Sequence, residues 1–409
     1  MNLIFLTQVY PPDAAAVGQH FEDAAVRLAE RGNEVTVYTS DRDYDNPSIK
    51  YDSNSRHSGV QIVRLPWTSF GKKTIGHRLL GQASYLGQVF LRLLFKQGVD
   101  GVVLTTIPAT TGVMYSLLHA IRRFPTLFWV MDLNPDQAVA LGIVQEQNLG
   151  VRLLRWFNRH LLAGADHIVV LDRYMDNKVQ KLATSNPKLE IIPPWPLESH
   201  LKPIESDNNT FVKEYGLGKK RVFMYSGNHS LVHPLDTIIE AVGQFLNYSE
   251  VEFMFIGGGR AKEGVDDFIV KHNPQNVMSL PYQPLETLSH SLSAADVHFV
   301  VMGNEMVGIV HPCKIYGAMA VGRPVVFVGP RESHLGELVE QGGFGWIIDH
   351  GDVDGLSRLI GEIAEMPREE LEAMGAKGRQ LLKEQYSADK LAGEFCRLVE
   401  TLGTNNKVG

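Results

Sequence analysis

GIVHPCKIYGAMAVGRPVVFVGP, residues 308–330, sets a loop, a helix and a buried strand end to end without a spare residue. Gly308 and Pro312 shape a turn, Lys314 falls in the first turn of the helix that follows, and Gly322-Arg323-Pro324 stops that helix before the apolar run Val325-Val326-Phe327-Val328. Unpaired backbone N–H groups and the helix dipole both favour negative charge at a helix start, and a lysine beside them adds to the preference. The segment therefore predicts a phosphate or diphosphate site on the main chain of Gly308, Ile309 and Val310 and the side chain of Lys314. A helix that merely packs on a sheet is the plainer alternative.

Working outward, short β-branched runs alternate with amphipathic stretches. Strands are predicted at 3–7, 34–38, 60–65, 101–104, 126–130, 167–170 and 189–192, with helical periodicity at 20–31 and 79–95. After the stiff break Pro193-Pro194-Trp195-Pro196 and the polar stretch 203–210, a second series follows at 221–225, 251–256, 297–301, 324–328 and 345–348. The tail, 367–402, predicts two helices. Strands alternating with helices mean parallel sheets, so the fold class is α/β with two doubly wound domains facing across a cleft. The expected boundaries are 1–195 for the first domain, 196–209 for a linker, 210–385 for the second domain, and 386–409 for a helix and tail returning to the first.

The 409 residues exceed what one core usually serves, and 44% apolar with 21% charged residues is ordinary for a soluble enzyme. Two cysteines, Cys313 and Cys396, exclude a disulfide framework or a zinc cluster and fit a reducing cytoplasm. Residues 1–9 lack a basic leader and are expected to form the first strand. Residues 56–159 hold twelve basic and four acidic residues, against a formal charge of −7 for the whole chain. Such a patch predicts an anionic partner. Nucleic acid is set aside because no recognised binding motif accompanies it. Within the patch, Arg152, Arg155 and Arg159 flank Trp156 and Phe157, a pattern that fits either a helix lying at an anionic membrane surface or a core-facing helix with snorkelling arginines. Residues 76–96 are too polar to span a bilayer.

Loops at strand ends carry the chemistry. Tyr10-Pro11-Pro12 leads to Gly18 at a helix start, where glycine permits close approach of a ligand. Asp132 directly follows a buried strand and is assigned to the ligand; Asp136 is assigned to capping the next helix. Gly227-Asn228-His229 follows the first strand of the second series, Gly257-Gly258-Gly259-Arg260 the second, and Leu280-Pro281-Tyr282 leads into a further helix. Together with residues 308–314 these loops predict a nucleotide-diphosphate pocket, with the phosphates on Lys314 and Arg260. His229, His233 and His311 either serve it or face solvent. The second domain has no Asp-x-Asp, which argues against a metal site, and Asp41, Asp43 and Asp45 fit a solvated turn.

Tyr10-Pro11-Pro12 with Gly18, residues 28–37, residues 165–171, Tyr225-Ser226-Gly227-Asn228 and Ala318-Met319-Ala320-Val321-Gly322-Arg323-Pro324 resemble the retaining nucleotide-sugar glycosyltransferases of family 4, with the GT-B fold. The match spans nearly the whole chain. Asp132-Leu133-Asn134-Pro135-Asp136 and His311-Pro312-Cys313-Lys314-Ile315-Tyr316 look most like the branch that builds bacterial surface polysaccharides such as O-antigen, capsule and colanic acid. The resemblance implies transfer of a hexose from a UDP- or GDP-type sugar, with front-face attack and neither a cofactor nor a bound metal. It implies Asp132 and Lys314 as catalytic groups. The nucleotide sugar would lie on Gly227, Asn228, His229, Gly258, Arg260, Tyr282, Gly308, Ile309, Val310, His311, Lys314 and Tyr316. The acceptor, a polyprenyl-diphosphate-linked saccharide, would meet Tyr10, Gly18 and Gln19 at the inner face of the plasma membrane. The chain departs from the family where two glutamates are usual, having Ile309 and Gly317, and it lacks the usual arginine and lysine near His229 and His233. A nucleotide-sugar epimerase of the same fold and a catalytically silent sugar- or lipid-binding relative are the alternatives.

Overall fold

The computed structural model describes residues 1–403 apart from Ala14, Tyr44, Asp45, Lys72, Lys73, 184–186 and 198–200, and of Ile75 the main chain alone. The chain divides into two compact units, one made of Met1–Leu197 with Ala388–Gly409, the other of Glu198–Ser387.

The first unit is built on strands β1 (Asn2–Leu6), β2 (Glu34–Ser40), β3 (Asn54–His57), β4 (Val60–Leu65), β5 (Gly101–Thr105), β6 (Thr126–Trp129), β7 (His167–Val170) and β8 (Leu189–Ile191). Their order is β3-β4-β2-β1-β5-β6-β7-β8, parallel throughout except for β3, which runs against β4. Leu3, Ile4, Phe5, Val102 and Val103 are buried because helices cover both faces of a parallel sheet, and its central strands are apolar on both sides for the same reason. The acidic turn expected to be solvated is corrected in part. Asp41 is buried at the end of β2, and Asp43 accepts from the Tyr51 hydroxyl at 2.9 Å. Asp45 lies outside the described residues.

The second unit holds β9 (Arg221–Ser226), β10 (Val251–Ile256), β11 (Val277–Leu280), β12 (Val297–Val301), β13 (Val325–Val328) and β14 (Gly345–Ile348), ordered β11-β10-β9-β12-β13-β14 and all parallel. Phe223, Phe253 and Phe299 stack across β9, β10 and β12 with ring centroids 5.5 and 5.8 Å apart. The order reverses between β9 and β12, and ligands of doubly wound sheets bind where that happens, beyond the carboxyl ends. The loops leaving these two strands begin at Gly227 and Met302.

The tail forms helices Arg368–Gln385 and Ala388–Thr401. The first packs on the second unit, with Gly375 set against the main chain of Gly322 so closely that any Cβ would collide with it. The second belongs to the first unit. Its Phe395 ring lies 4.2 Å from Trp129, which itself stacks on Trp195 at 5.4 Å, and the Arg31 guanidinium grips Glu400 with two hydrogen bonds.

Candidate active site

In the second unit, residues 308–330 form the turn, the helix Lys314–Ala320 and β13, with Gly308 and Gly322 both in the left-handed region. Two of the three amides expected to hold phosphate are corrected here. Ile309 N–H and Val310 N–H both donate to the Met306 carbonyl, at 2.9 and 3.2 Å, so they are already satisfied inside the turn. Both side chains are buried. The Lys314 side chain is the charged group at this helix start that can meet an anion.

Lys314 extends over Gly227. A Cβ at position 227 would lie 2.7 Å from Lys314 Cε, and φ there is +128°, so only glycine accommodates both the backbone and the lysine. Its ammonium sits 5.0 Å from the centroid of the Tyr225 ring, a cation–π contact. Among the described residues no carboxylate pairs with it, and burial pushes its pKa down from 10.5 to about 7.

His229 and His233 lie beside it, and the solvent-facing reading of the three histidines is corrected: His229, His233 and His311 are all buried. His229 Nδ1 donates to the Gly227 carbonyl at 3.0 Å, while its Nε2 has no partner. Burial, then the nearby Lys262 and Lys314 charges, push this imidazole down to about 4, against the bond to Gly227 that favours its charged form. His233 Nδ1 is equally unpartnered, and burial with the Lys314 charge holds its pKa well below the usual histidine range. His311 Nε2 is 2.9 Å from the Tyr316 hydroxyl.

The glycine loop after β10 interlocks with the loop after β9. Gly257 has φ +130°, and a Cβ there would lie 2.0 Å from the Gly227 carbonyl oxygen. Lys262 ties this loop to β11, its Nζ donating to the Gly257 and Leu280 carbonyls at 2.7 and 2.6 Å. Tyr282 lies across the loop with its hydroxyl 3.2 Å from the Gly258 carbonyl, and its ring is 55% exposed. Asn228 and Arg260 are exposed around this floor, and Glu305 is exposed in the turn Asn304–Met306. Gly317, at the position of a family glutamate, has only Leu292 Cδ1 at 3.5 Å where a Cβ would stand. The roles of Tyr225 and Lys262 were missed in the sequence, and that of His233 was left open. The aromatic residue two places before Gly227 was the available signal for the first.

In the first unit Tyr10 is buried, its hydroxyl has no partner, and burial raises its pKa with help from Glu22. Gly18 is the third residue of the helix Ala16–Glu30. A Cβ there would lie 3.0 Å from Val9 O and 3.1 Å from Tyr10 Cα, so the close approach expected of a ligand is made by the chain's own loop. Gln19 is half-buried on the same turn. The Asp132 amide donates to Thr106 Oγ1 at 3.3 Å, and its half-buried side chain follows β6. The capping role assigned to Asp136 is corrected. It is the first residue of the helix Asp136–Ala140 and makes no cap bond, accepting instead from Arg155 Nη2 at 2.8 Å.

That pairing also corrects the basic face of the helix Leu149–Gly164. Arg155 binds Asp136 and Glu146 and is withdrawn from solvent. The exposed residues include Leu149, Arg152, Leu153, Trp156, Arg159 and His160. Among the described residues no helix is long and apolar enough to cross a membrane.

Residues 15–195 match the family described as glycosyl transferase 4-like domain, and residues 207–381 match glycosyl transferases group 1. The chain is 26% identical over 339 residues to a probable glycosyltransferase, WbjE, of Pseudomonas aeruginosa, covering 81% of this chain and 83% of that protein. It is 27% identical over 175 residues to a putative colanic acid biosynthesis glycosyltransferase, WcaL, of Salmonella typhimurium, covering 41% of this chain and 42% of that one. Among solved structures it superposes on sucrose-phosphate synthase from Thermosynechococcus elongatus with a TM-score of 0.80 at 16% identity, over 99% of this chain and 100% of that one. Anabaena HepE in complex with UDP and glucose gives 0.72 at 15%, over 98% and 100%. Two Rossmann-like units, each matched by its own half of one enzyme family, leave a single assignment: the chain belongs to the family-4 glycosyltransferases of the GT-B fold.

Proposed function

We propose that this glycosyltransferase moves a hexose from a UDP- or GDP-type sugar onto a hydroxyl of a polyprenyl-diphosphate-linked saccharide, with retention of configuration, in the assembly of a bacterial surface polysaccharide. The observation that carries the reading is Lys314, half-buried beside Tyr225 and over Gly227 at the reversal point of its sheet, with no carboxylate paired to it among the described residues. A departing diphosphate needs such a charge, because positioning and electrostatics dominate the breaking of a glycosidic phosphate bond. Gly258, Arg260, Tyr282, Gly308, His311 and Tyr316 complete the donor pocket around it, and Asn228, Ile309 and Val310 shape its walls. In the first unit, Asp132 acts on the acceptor hydroxyl, while Tyr10, Gly18 and Gln19 set the loop that receives the saccharide. The relative WcaL, a putative colanic acid biosynthesis glycosyltransferase, supports the polysaccharide setting.

Lys314→Ala is expected to weaken nucleoside-diphosphate binding about ten- to a hundredfold, the worth of one charge-assisted hydrogen bond, and to leave nucleoside binding unchanged. Calorimetry with UDP, GDP, uridine and guanosine checks it. Equal diphosphate affinity in mutant and wild type removes Lys314 from the site. Labelled nucleotide sugars then separate the readings: transfer to lipid-linked saccharide supports ours, an epimerised nucleotide sugar does not, and binding without turnover would make this a silent relative, which Ile309 and Gly317 bring into view.

The enzyme is also proposed to work at the inner face of the plasma membrane, docking through Leu149, Leu153 and Trp156 with Arg152 and Arg159 beside them. Each basic residue near an anionic surface contributes about 1 kcal/mol, so Arg152→Gln with Arg159→Gln should cost roughly thirtyfold in affinity for phosphatidylglycerol vesicles. Arg155→Gln should leave vesicle binding unchanged, since Asp136 and Glu146 hold that residue. Cosedimentation at low and high salt reads both. Binding insensitive to salt and to the double substitution overturns the electrostatic account.

A further inference from the structure

The donor pocket has an unusual hydrogen-bond inventory. A carbonyl oxygen can only accept, so the ring nitrogen that His229 turns to the Gly227 carbonyl carries the hydrogen, and its Nε2 is left as a bare lone pair. His233 follows the same rule. One of its nitrogens bonds to the main chain of Val301, and Nδ1 is left without a partner in buried space. Beside these two lone pairs stands Lys314, also without a counter-ion among the described residues. A fully ionised diphosphate held by Lys314 would have two imidazole acceptors nearby where it needs donors, and a lysine whose charge is costly while no anion is bound.

The groups facing Lys314 make the imbalance plain. From β9 comes the Tyr225 ring, its hydroxyl spent on the Asn228 carbonyl at 2.9 Å. From the following loop come His229 and His233. Lys262 and Asp266, on the helix Lys262–His272, act on His229, with the Lys262 ammonium committed to two carbonyls. Tyr282 acts on Tyr225, and from its own loop Lys314 has Cys313. None of these supplies a carboxylate paired with Lys314 among the described residues.

We propose that the pocket binds a nucleoside diphosphate together with a proton, which charges Lys314 as the ligand arrives and returns to solvent as the diphosphate leaves. This rests on the nucleotide-sugar reading given above. The empty pocket keeps its charge low because Lys314 lies half-buried over Gly227 with no carboxylate paired to it among the described residues. The diphosphate supplies the missing negative partner and restores the ammonium, and the imidazole lone pairs become donors when pH is lowered further. The sign follows directly. Burial holds the lysine near pH 7 in the free protein, the ligand raises that value, and binding therefore takes up a proton above neutrality. Affinity should fall as pH rises, and product release should be faster in alkaline solution.

The test is isothermal titration of the full-length protein with UDP and with GDP at several values from pH 7.5 to 9.5, each in two buffers of different ionisation enthalpy. In that window the ligands' own phosphates are already deprotonated. The expected result is an uptake approaching one proton per bound diphosphate and a loss of affinity approaching about tenfold per pH unit. Lys314→Arg, which stays charged throughout, should abolish both the uptake and the slope while still binding at pH 9.5. Binding by wild type with no proton exchange and a flat pH profile overturns the proposal and leaves the nucleotide-sugar reading standing. Full uptake retained in Lys314→Arg overturns the assignment to Lys314. No binding of either diphosphate removes the nucleotide-sugar reading, and the proposal with it.

Discussion

Phe395→Ala is expected to destabilise the first unit by about 3–5 kcal/mol, the usual cost of emptying a buried aromatic site that cannot collapse. Phe395 has no exposed surface, sits against Trp129 and Trp195, and is carried by a helix whose other inward residues, Leu391, Ala392, Cys396 and Val399, are also buried. Trp129 ends β6 and Trp195 lies just past β8, so the ring bridges the strand end that carries Asp132 to the chain leaving the unit. The rigid indoles cannot move into the space left behind, because Phe21 and His20 already pack against them. Urea unfolding followed by tryptophan fluorescence measures the change. Calorimetric binding of UDP or GDP by the folded variant should match wild type, since the proposed donor pocket is in the other unit. An unfolding midpoint unmoved by the substitution would show that the last helix is only loosely attached.

Asp132→Asn is expected to lower turnover by about a hundredfold or more, within the range found when a positioned acid–base or electrostatic group is neutralised, with little change in fold or in nucleotide affinity. The amide keeps the shape and loses the charge. Steady-state rates with matched thermal unfolding curves decide the matter. Should the variant unfold while activity per folded molecule stays the same, Asp132 is a structural residue. The paired change Asp136→Asn provides the contrast. It weakens a contact to Arg155, which Glu146 also holds, and should cost stability modestly without touching the rate.

What could be read from the sequence was whatever a local pattern encodes. Apolar runs such as residues 251–256 and 297–301 gave β10 and β12 to the residue, because central parallel strands are buried on both faces. β3 went unseen since Asn54, Ser55, Arg56 and His57 are all exposed on an edge, paired on one side only. β11 was missed for a related reason: of its four residues only Val277 is fully buried. The candidate site divides the same way. Gly227 and Gly258 stood out through their place after strands, and Lys314 through its place at a helix start. The orphaned nitrogens of His229 and His233 depend on which carbonyls lie within reach. The hydrogen bonds that consume Ile309 N–H and Val310 N–H depend on how tightly the chain turns at Met306. Arg155 illustrates the limit from the other side: its spacing on a helix promised an exposed charge, and two acids distant in sequence claimed it.

The return of the last helix to the first unit imposes an order on biosynthesis. Residues 1–197 leave the ribosome early but cannot be completed until Ala388 and its successors appear, with the whole of the second unit translated in between. At roughly 5–20 residues per second, those 190 residues keep the indole faces of Trp129 and Trp195 without their covering ring for about ten to forty seconds. The later-made unit can thus finish first, reversing the usual vectorial sequence. A nascent chain stalled before residue 388 presents an apolar seam of the kind that chaperones hold.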